Sequence, residues 1–227
     1  MYYYDSTFIV LIPALLLSLY AQAKIQSTYS RYSRQYSMSG LTGAEAARKI
    51  LDLNGLYDVA IEVIPGNLTD HYDPRNRVLR LSREVFYGNS IAAIGVAAHE
   101  AGHALQHNRG YAPLIFRNAL VPVANIGSNL SWILIMLGFI INSVGFINLG
   151  ILLFSAVVLF QVVTLPVEFN ASSRALTQLD NYNILYGEEI YKAKRVLNAA
   201  ALTYVAATIM AVSQLLRLIL LTRDSRD

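Results

Sequence analysis

The sequence predicts a mainly α-helical, multi-pass membrane protein that carries a small α+β unit outside the bilayer. Of its 227 residues, 55% are hydrophobic and 15% are charged, and the mean hydropathy is +0.40, which is more apolar than a soluble domain of this size needs to be. Four long apolar stretches occur, each near the length that crosses a bilayer. Between the first and the second lies a polar region, residues 24–118, with patterns typical of short helices and strands.

The first apolar stretch, residues 2–23, predicts an N-terminal transmembrane anchor that occupies residues 1–23. It opens on a run of tyrosines at residues 2–4, which suits a membrane interface. A secretory signal peptide is the alternative, because the Ala-Gln-Ala sequence at residues 21–23 resembles a cleavage site. A signal peptide requires Lys or Arg before its apolar core, and this chain has neither there. An uncleaved anchor is therefore favoured.

Two further apolar stretches, residues 119–141 and 144–167, predict a transmembrane hairpin over residues 119–167. The turn between them, at Asn142 and Ser143, carries no charge. Two apolar segments of this length with so short a connection are typical of adjacent antiparallel membrane helices.

A fourth span is predicted at residues 198–221, within a C-terminal transmembrane helix and tail of residues 198–227. Arg217 lies near the end of this span, where its side chain can reach the lipid headgroups. Four spans place both termini on the same side of the membrane.

The distribution of Lys and Arg predicts which side that is. Eleven of these residues lie in residues 24–117 and four in residues 174–195, whereas the hairpin turn has none. By the positive-inside rule, residues 24–118 and 168–197 are cytoplasmic and both termini are external. Three arginines near the C-terminus weaken this asymmetry slightly.

The polar region begins with a linker and a short helix. Residues 27–40 are rich in Ser, Tyr, Arg and Gly and lack apolar periodicity, so we expect a polar linker that leaves the membrane. Thr42 and Glu45 then have the spacing of a capping box, which predicts the start of an amphipathic helix that closes at Asn54 and Gly55.

Two strands and a longer helix complete the polar region. Residues 59–64 are rich in β-branched side chains, and residues 77–81 alternate charged and apolar side chains, which predicts a second strand that is exposed on one face. Ser90 is the expected N-cap of a helix over residues 91–108, with Gly110 as its C-terminal signal. The predicted order is helix, two strands, helix.

The longer helix carries an HExxH motif formed by His99, Glu100 and His103. On a helix this spacing puts the two imidazoles on one face, about 6 Å apart along the axis, where both can bind one metal ion. Glu100 falls beside them, where a general base would stand. The chain has no cysteine, so zinc has to be held by His and carboxylate ligands.

A catalytic zinc site needs a third protein ligand. His107 lies about 12 Å along the axis from His99, too far for an unbroken helix to bring both to the ion that His103 binds. Glu168 is the best-placed carboxylate, because it follows the third span on the side where the charge distribution puts the motif. Carboxylates near the polar loop at residues 181–187 meet the same condition and rank below it: Asp180, Glu188 and Glu189.

Two imidazoles and one carboxylate leave zinc a position for water, and the ion lowers the pKa of that water. Glu100 would accept the water's proton and return it to the leaving amine, which predicts hydrolysis of peptide bonds. Residues 77–81 are either an edge for an extended substrate peptide or an ordinary sheet edge. The residue that stabilises the oxyanion stays open among four candidates: His71, Arg174, Tyr182 and Tyr186.

Beside the HExxH motif, the chain contains Thr-Asp-His-Tyr-Asp-Pro at residues 69–74 and Glu-Phe-Asn-Ala at residues 168–171, the latter directly after the hydrophobic hairpin. With these features, and over nearly its whole length, the chain resembles the YugP-like membrane zinc metallopeptidases of bacteria, and more distantly the HtpX-type proteases. The resemblance implies zinc, a gluzincin-like site and endopeptidase activity in the bacterial plasma membrane, with a role in membrane-protein turnover. The wider relatives carry Asp four residues after the ligand Glu, where this chain has Ser172.

The expected partners are the lipid bilayer and a protein or peptide substrate. The formal charge of +3 comes from scattered basic residues, which argues against nucleic acid. Two alternatives to a surface protease stay open. An intramembrane-cleaving metalloprotease would need a spanning HExxH helix, whereas residues 91–108 are short and polar at their ends. A non-catalytic scaffold would have no need of Glu100. The sequence does not indicate an oligomeric state.

Overall fold

The computed structural model describes residues 6–224, and the chain divides into two compact units. The first unit contains the described residues up to 22, residues 115–166 and the described residues from 202 onward, and the second contains residues 23–114 and 167–201. In chain order, the elements are a 3₁₀ helix at Ser6–Leu11, α1 (Ile12–Tyr32), α2 (Gly43–Leu53), β1 (Ala60–Ile64), β2 (His71–Asp73), β3 (Val78–Ser82), α3 (Arg83–Tyr87), α4 (Ile91–Asn108), α5 (Ala112–Ile140), α6 (Val144–Asn181) and α7 (Glu188–Asp224).

Four helices of the described chain are long and apolar enough to cross a membrane: Thr7–Tyr32, Ala112–Ile140, Val144–Asn181 and Glu188–Thr222. With the small sheet of the second unit, they confirm the mainly α-helical, multi-pass fold class. The helices run beyond the predicted spans, because polar helix-forming sequence continues the backbone hydrogen bonds where the apolar segment ends. The tyrosine run at residues 2–4 lies outside the described residues.

The turn between α5 and α6 contains Asn142 with a φ of 54°, a left-handed conformation that asparagine tolerates better than most residues. In α7, the guanidinium of Arg217 lies 3.7 Å from the centre of the Phe8 ring. A cation–π contact with the N-terminal helix therefore accompanies this intramembrane arginine.

The predicted polar linker at residues 27–40 is wrong in its first part, because α1 continues to Tyr32. Tyr32 is buried against Ala92 of α4 and Val196 of α7. This long-range packing favours the helical conformation of a segment whose own sequence has no apolar periodicity. The irregular connection to α2 consists of residues 33–42, which include only the last part of the predicted linker.

The first helix of the polar region, α2, begins as predicted. The Thr42 hydroxyl accepts the backbone N–H of Glu45 at 3.2 Å, and the Glu45 carboxylate accepts the N–H of Thr42 at 2.8 Å. This capping box satisfies N–H groups that have no partner inside the helix. At the other end, Asn54 is the C-cap and Gly55 has a φ of 76°.

The sheet of the second unit has three strands in the order β1-β3-β2, with β1 parallel and β2 antiparallel to β3. The sequence predicts only two strands, because the three residues of β2 are too few to form a periodic pattern. The prediction that the strand at residues 77–81 exposes one face is wrong. Four of the five residues of β3 are buried, and Arg80 pairs with Asp73 at 2.6 Å and with Glu62 at 3.4 Å. As the central strand, β3 has neighbours along both edges.

Candidate metal centre

The HExxH motif lies on α4, which is buried along most of its length. Ser90 begins the helix, since its hydroxyl accepts the N–H of Ala93 at 3.1 Å. Gly110, with a φ of 60°, follows its end. Both signals agree with the sequence prediction. Alanines and glycines supply much of the helix surface, so neighbouring elements can approach its backbone closely.

His99, His103 and Glu168 come together between α4 and the second half of α6. Glu168 Oε2 lies 3.2 Å from His99 Nε2 and 3.6 Å from His103 Nε2. One ligand atom from each residue lies within 4.8 Å of the others, and Glu168 is only 4% exposed. The three residues that the sequence predicts as ligands therefore form a single group.

Glu168 can reach the histidines because α6 crosses α4 at a glycine. A Cβ atom on Gly102 would lie 2.6 Å from the carbonyl oxygen of Ala171, well inside van der Waals contact. Gly102 is one of the two free positions of the HExxH motif, and Ala171 is less than one turn from Glu168. A side chain at residue 102 would force the helices apart at the level of the metal-binding group.

Comparison with known proteins gives this group a family. A family model described as "putative neutral zinc metallopeptidase" matches residues 7–223. The chain belongs to this family. It is 51% identical over 216 residues to the "putative membrane protease YugP" of Bacillus subtilis (strain 168), covering 95% of this chain and 96% of the relative. No solved structure matches the chain. The resemblance to the YugP-like membrane zinc peptidases is confirmed, and zinc is the cofactor of the family.

In both histidines, the ring nitrogen that points away from the metal-binding group, Nδ1, has a hydrogen-bond partner. Imidazoles that bind zinc need such a partner. His99 Nδ1 lies 3.1 Å from the hydroxyl of Ser172, and His103 Nδ1 lies 3.0 Å from Oε1 of Gln106. With Nδ1 protonated and donating, each Nε2 keeps its lone pair toward the centre of the group. Two neutral imidazoles and one carboxylate are a donor set that fits catalytic zinc.

Ser172 is the hydrogen-bond partner of the His99 ring on the side away from the metal-binding group. We expect Ser172→Ala to raise the dissociation constant for zinc about tenfold, because His99 loses the partner that orients its ring. Ser172→Asp should restore or tighten binding, since a carboxylate accepts the same N–H more strongly. Zinc competition against a fluorescent chelator measures both. An unchanged affinity in Ser172→Ala would show that the hydroxyl does not support the ligand.

Gln106 is a site residue that sequence reasoning missed. It is fully buried, and its Nε2 donates to the carbonyl of Val167 at 2.8 Å and to Asn170 Oδ1 at 3.0 Å. These bonds orient the amide so that its oxygen faces His103 and tie the helix of the first two ligands to that of the third. Its spacing, three residues after His103 on the same helix face, is the signal that could have identified it.

Glu100 is buried beside the metal-binding group, and its Oε2 accepts the backbone N–H of Tyr72 at 3.1 Å. Burial raises the pKa of Glu100 to about 8, and the negative charges of Glu168 and Asp70 add to this rise, whereas a proton on His99 would oppose it. A cation in the site would place positive charge next to this carboxyl group and lower its pKa again. The Glu100 carboxyl group is therefore positioned to exchange a proton near neutral pH.

The remaining ligand candidates have other roles or lie in solvent. His107 Nδ1 is 2.9 Å from the hydroxyl of Tyr72, as expected for a histidine that is not a ligand. The Glu189 carboxylate accepts the N–H of Met38 at 2.8 Å and that of Tyr186 at 3.0 Å. Two carboxylates are exposed: Asp180 and Glu188.

The four oxyanion candidates stay unassigned. His71 is exposed on β2, Tyr186 is exposed before α7, and the Tyr182 hydroxyl lies 3.5 Å from Nδ2 of Asn54. Arg174 is linked to the metal-binding group through a polar chain, because its Nε donates at 2.7 Å to the same Asn170 oxygen that Gln106 contacts.

Proposed function

We propose that this protein is a zinc-dependent endopeptidase of the bacterial plasma membrane. His99, His103 and Glu168 would hold the zinc, and Glu100 would act as the general base. The observation that supports this proposal is the convergence of three ligand atoms, from half-buried His99 and buried His103 and Glu168, next to the buried carboxyl group of Glu100. The alternative of a non-catalytic scaffold leaves Glu100 without a purpose, because burying an ionisable group that does no chemistry costs stability.

The chemistry divides between the cofactor and the protein. When bound, zinc supplies a Lewis acid that acidifies water and polarises a peptide carbonyl. Glu100 removes a proton from the attacking water and returns it to the leaving amine. The N–H of Tyr72 holds one oxygen of the Glu100 carboxylate, which leaves the other oxygen free for the proton. Ser172 and Gln106 keep the two imidazoles in the tautomer that binds metal.

An extended substrate peptide would lie along β2, and not along residues 77–81. β3 is paired on both sides, whereas β2 has β3 on one side only. The N–H of Tyr72, at the middle of β2, points away from β3 and donates to Glu100, so the edge of β2 that no strand of the sheet covers runs beside the proposed base. Pairing with that edge would bring a substrate's backbone next to the reacting groups.

The proposed site of hydrolysis is the cytoplasmic membrane surface. Residues 24–118 and 168–197, which supply all the proposed ligands, carry most of the Lys and Arg. The helix with the HExxH motif, α4, is not among the four helices of the described chain that are long and apolar enough to span, which favours surface cleavage over intramembrane cleavage. An active site at this surface would be accessible to membrane-associated proteins, which are the proposed substrates.

The chemical proposal is tested by cleavage of an unfolded fluorogenic protein with detergent-purified enzyme. We expect proteolysis that a zinc chelator abolishes and added zinc restores, because the ligands cannot activate water by themselves. Activity that survives complete removal of the metal, as measured by mass spectrometry, would contradict the proposal.

The proposed orientation is tested with single cysteines, since the chain has none of its own. We expect a membrane-impermeant maleimide to label Asn142→Cys, in the hairpin turn, in intact cells. Asn67→Cys, at an exposed position before β2, should react only after the cells are permeabilised. The opposite pattern would place the HExxH region outside the cell.

A further inference from the structure

The membrane helix α5 exposes two faces of different chemistry. With about 100° between successive residues, one exposed face is purely apolar and consists of Ile115, Val123, Ile126, Leu130, Ile133 and Leu137. About 100° away lies a second exposed or half-exposed face, here called the asparagine face, which consists of Asn118, Pro122, Asn125, Asn129, Trp132 and Met136. Only the first face has the composition expected of a helix surface in contact with lipid.

The opposite side of α5 is the one that packs within the first unit. Gly127 is buried there, and a Cβ atom on it would lie 2.8 Å from the carbonyl oxygen of Leu153 in α6. Ser131 is buried as well, and its carbonyl oxygen would be 2.8 Å from a Cβ atom on Gly150. The close contact of α5 with α6 therefore uses small residues. Within the asparagine face, Trp132 lies against the Phe154 ring of α6, with 6.1 Å between the ring centres, and Asn118 Oδ1 accepts from Arg117. The rest of the face, including Asn125 and Asn129, is exposed in the described part of the chain.

Asn125 and Asn129 lie near the middle of α5, where a spanning helix crosses the centre of the bilayer. Asn129 Nδ2 donates to the backbone carbonyl of Asn125 at 3.3 Å. Each of these amides has two donor hydrogens and an acceptor oxygen, so one such contact leaves most of its hydrogen-bonding capacity unused. Polar groups at this depth face protein or a water-filled cavity and not hydrocarbon.

We infer that the asparagine face of α5 is the interface of a homodimer, in which Asn125 and Asn129 meet the same residues of a second copy. Its residues recur at alternating intervals of four and three, the spacing of the contact seam between two helices packed at a small angle. Two copies with the same membrane orientation are related by a two-fold axis along the membrane normal. The two α5 helices then run parallel, and each asparagine meets its own counterpart at the same depth.

A second copy fits this face better than a substrate helix does. An amide is both donor and acceptor, so two identical amides satisfy each other, and the two-fold axis guarantees that they are level. A substrate would need a polar group at the same depth and would cover the face only during turnover. A second copy can pair with the amides in the absence of substrate as well.

Disulfide cross-linking in membranes tests the interface, and the natural chain contributes no background because it has no cysteine. We expect Asn125→Cys and Asn129→Cys to form covalent dimers on mild oxidation. Leu130→Cys is the matched control, since it is also exposed but lies on the apolar face, and its yield should be about tenfold lower because its Cβ atoms stay too far apart. Equal yields at the three positions, or adducts with other proteins only, would overturn the inference.

A second variant does not depend on cysteine chemistry. In lipid vesicles, the labelled protein should photobleach in two steps, and replacing both asparagines by leucine should raise the dimer dissociation constant about tenfold. Zinc content should be unchanged, because the metal-binding group belongs to the other unit, and this readout verifies folding. One-step bleaching of the natural sequence, or an undiminished dimer in the double variant, would overturn the inference. Neither result bears on the proposed peptidase activity.

Discussion

Replacing Glu100 with glutamine is expected to lower the turnover of an unfolded protein substrate about 10²- to 10⁴-fold, the usual contribution of a positioned general base. Glutamine has nearly the same shape and still accepts the N–H of Tyr72, which Glu100 binds at 3.1 Å. It does not accept a proton from water. The fold and the zinc content should therefore remain, so kcat falls while the bound metal, measured by mass spectrometry, stays at the level of the unchanged protein.

The control for this substitution is Glu188→Gln, which removes the same charge from an exposed residue at the start of α7. It should have unchanged zinc and unchanged turnover. Full activity of Glu100→Gln would refute the assignment of the base. Loss of zinc from Glu100→Gln would instead assign this carboxylate to the ligands.

Replacing Glu168 with alanine is expected to empty the metal site. The remaining histidines provide only two of the three donors that a catalytic zinc requires. Loss of a residue that only hydrogen-bonds to a ligand lowers metal affinity about 10- to 100-fold. Loss of the ligand Glu168 itself should lower the affinity for zinc by more than that, and proteolysis should fall with it. Isothermal titration of the metal-free protein with zinc measures the effect.

Glu168→Gln separates the loss of a ligand from the loss of packing, because it preserves side-chain volume in a position that is only 4% exposed. We expect it to bind zinc weakly as well, since an amide oxygen is a poorer ligand than a carboxylate. If both Glu168 variants retain zinc at the natural level, the third ligand lies elsewhere. The assignments of Glu100 as base and of Glu168 as ligand are thus tested independently. Glu100→Gln should keep the metal and lose turnover, whereas Glu168→Ala should lose both.

The sequence by itself determined the elements whose signals are local. Apolar runs long enough to span a bilayer specify membrane helices without knowledge of their neighbours, and the caps at Thr42 and Ser90 mark helix starts through bonds within a few residues. The HExxH spacing depends only on helix geometry. The prediction of Glu168 as a ligand required one further step, a count of Lys and Arg that assigned Glu168 and the HExxH motif to the same side of the membrane. In the structure, Glu168 lies next to the two histidines. The membrane orientation that this count predicts is tested by the cysteine-labelling experiment.

Only the tertiary structure decided the features that depend on distant residues. The three residues of β2 form a strand because β3 pairs with them, and β3 is buried because strands lie on both of its sides. Ser172 supports His99 only because α6 crosses α4 at Gly102. The same crossing brings Val167 and Asn170 to the Gln106 amide and orients it. Residues 27–32 are helical through the packing of Tyr32. Such contacts join residues far apart in the chain, and their free energy comes from burial and pairing after the chain has folded, so no local pattern records them.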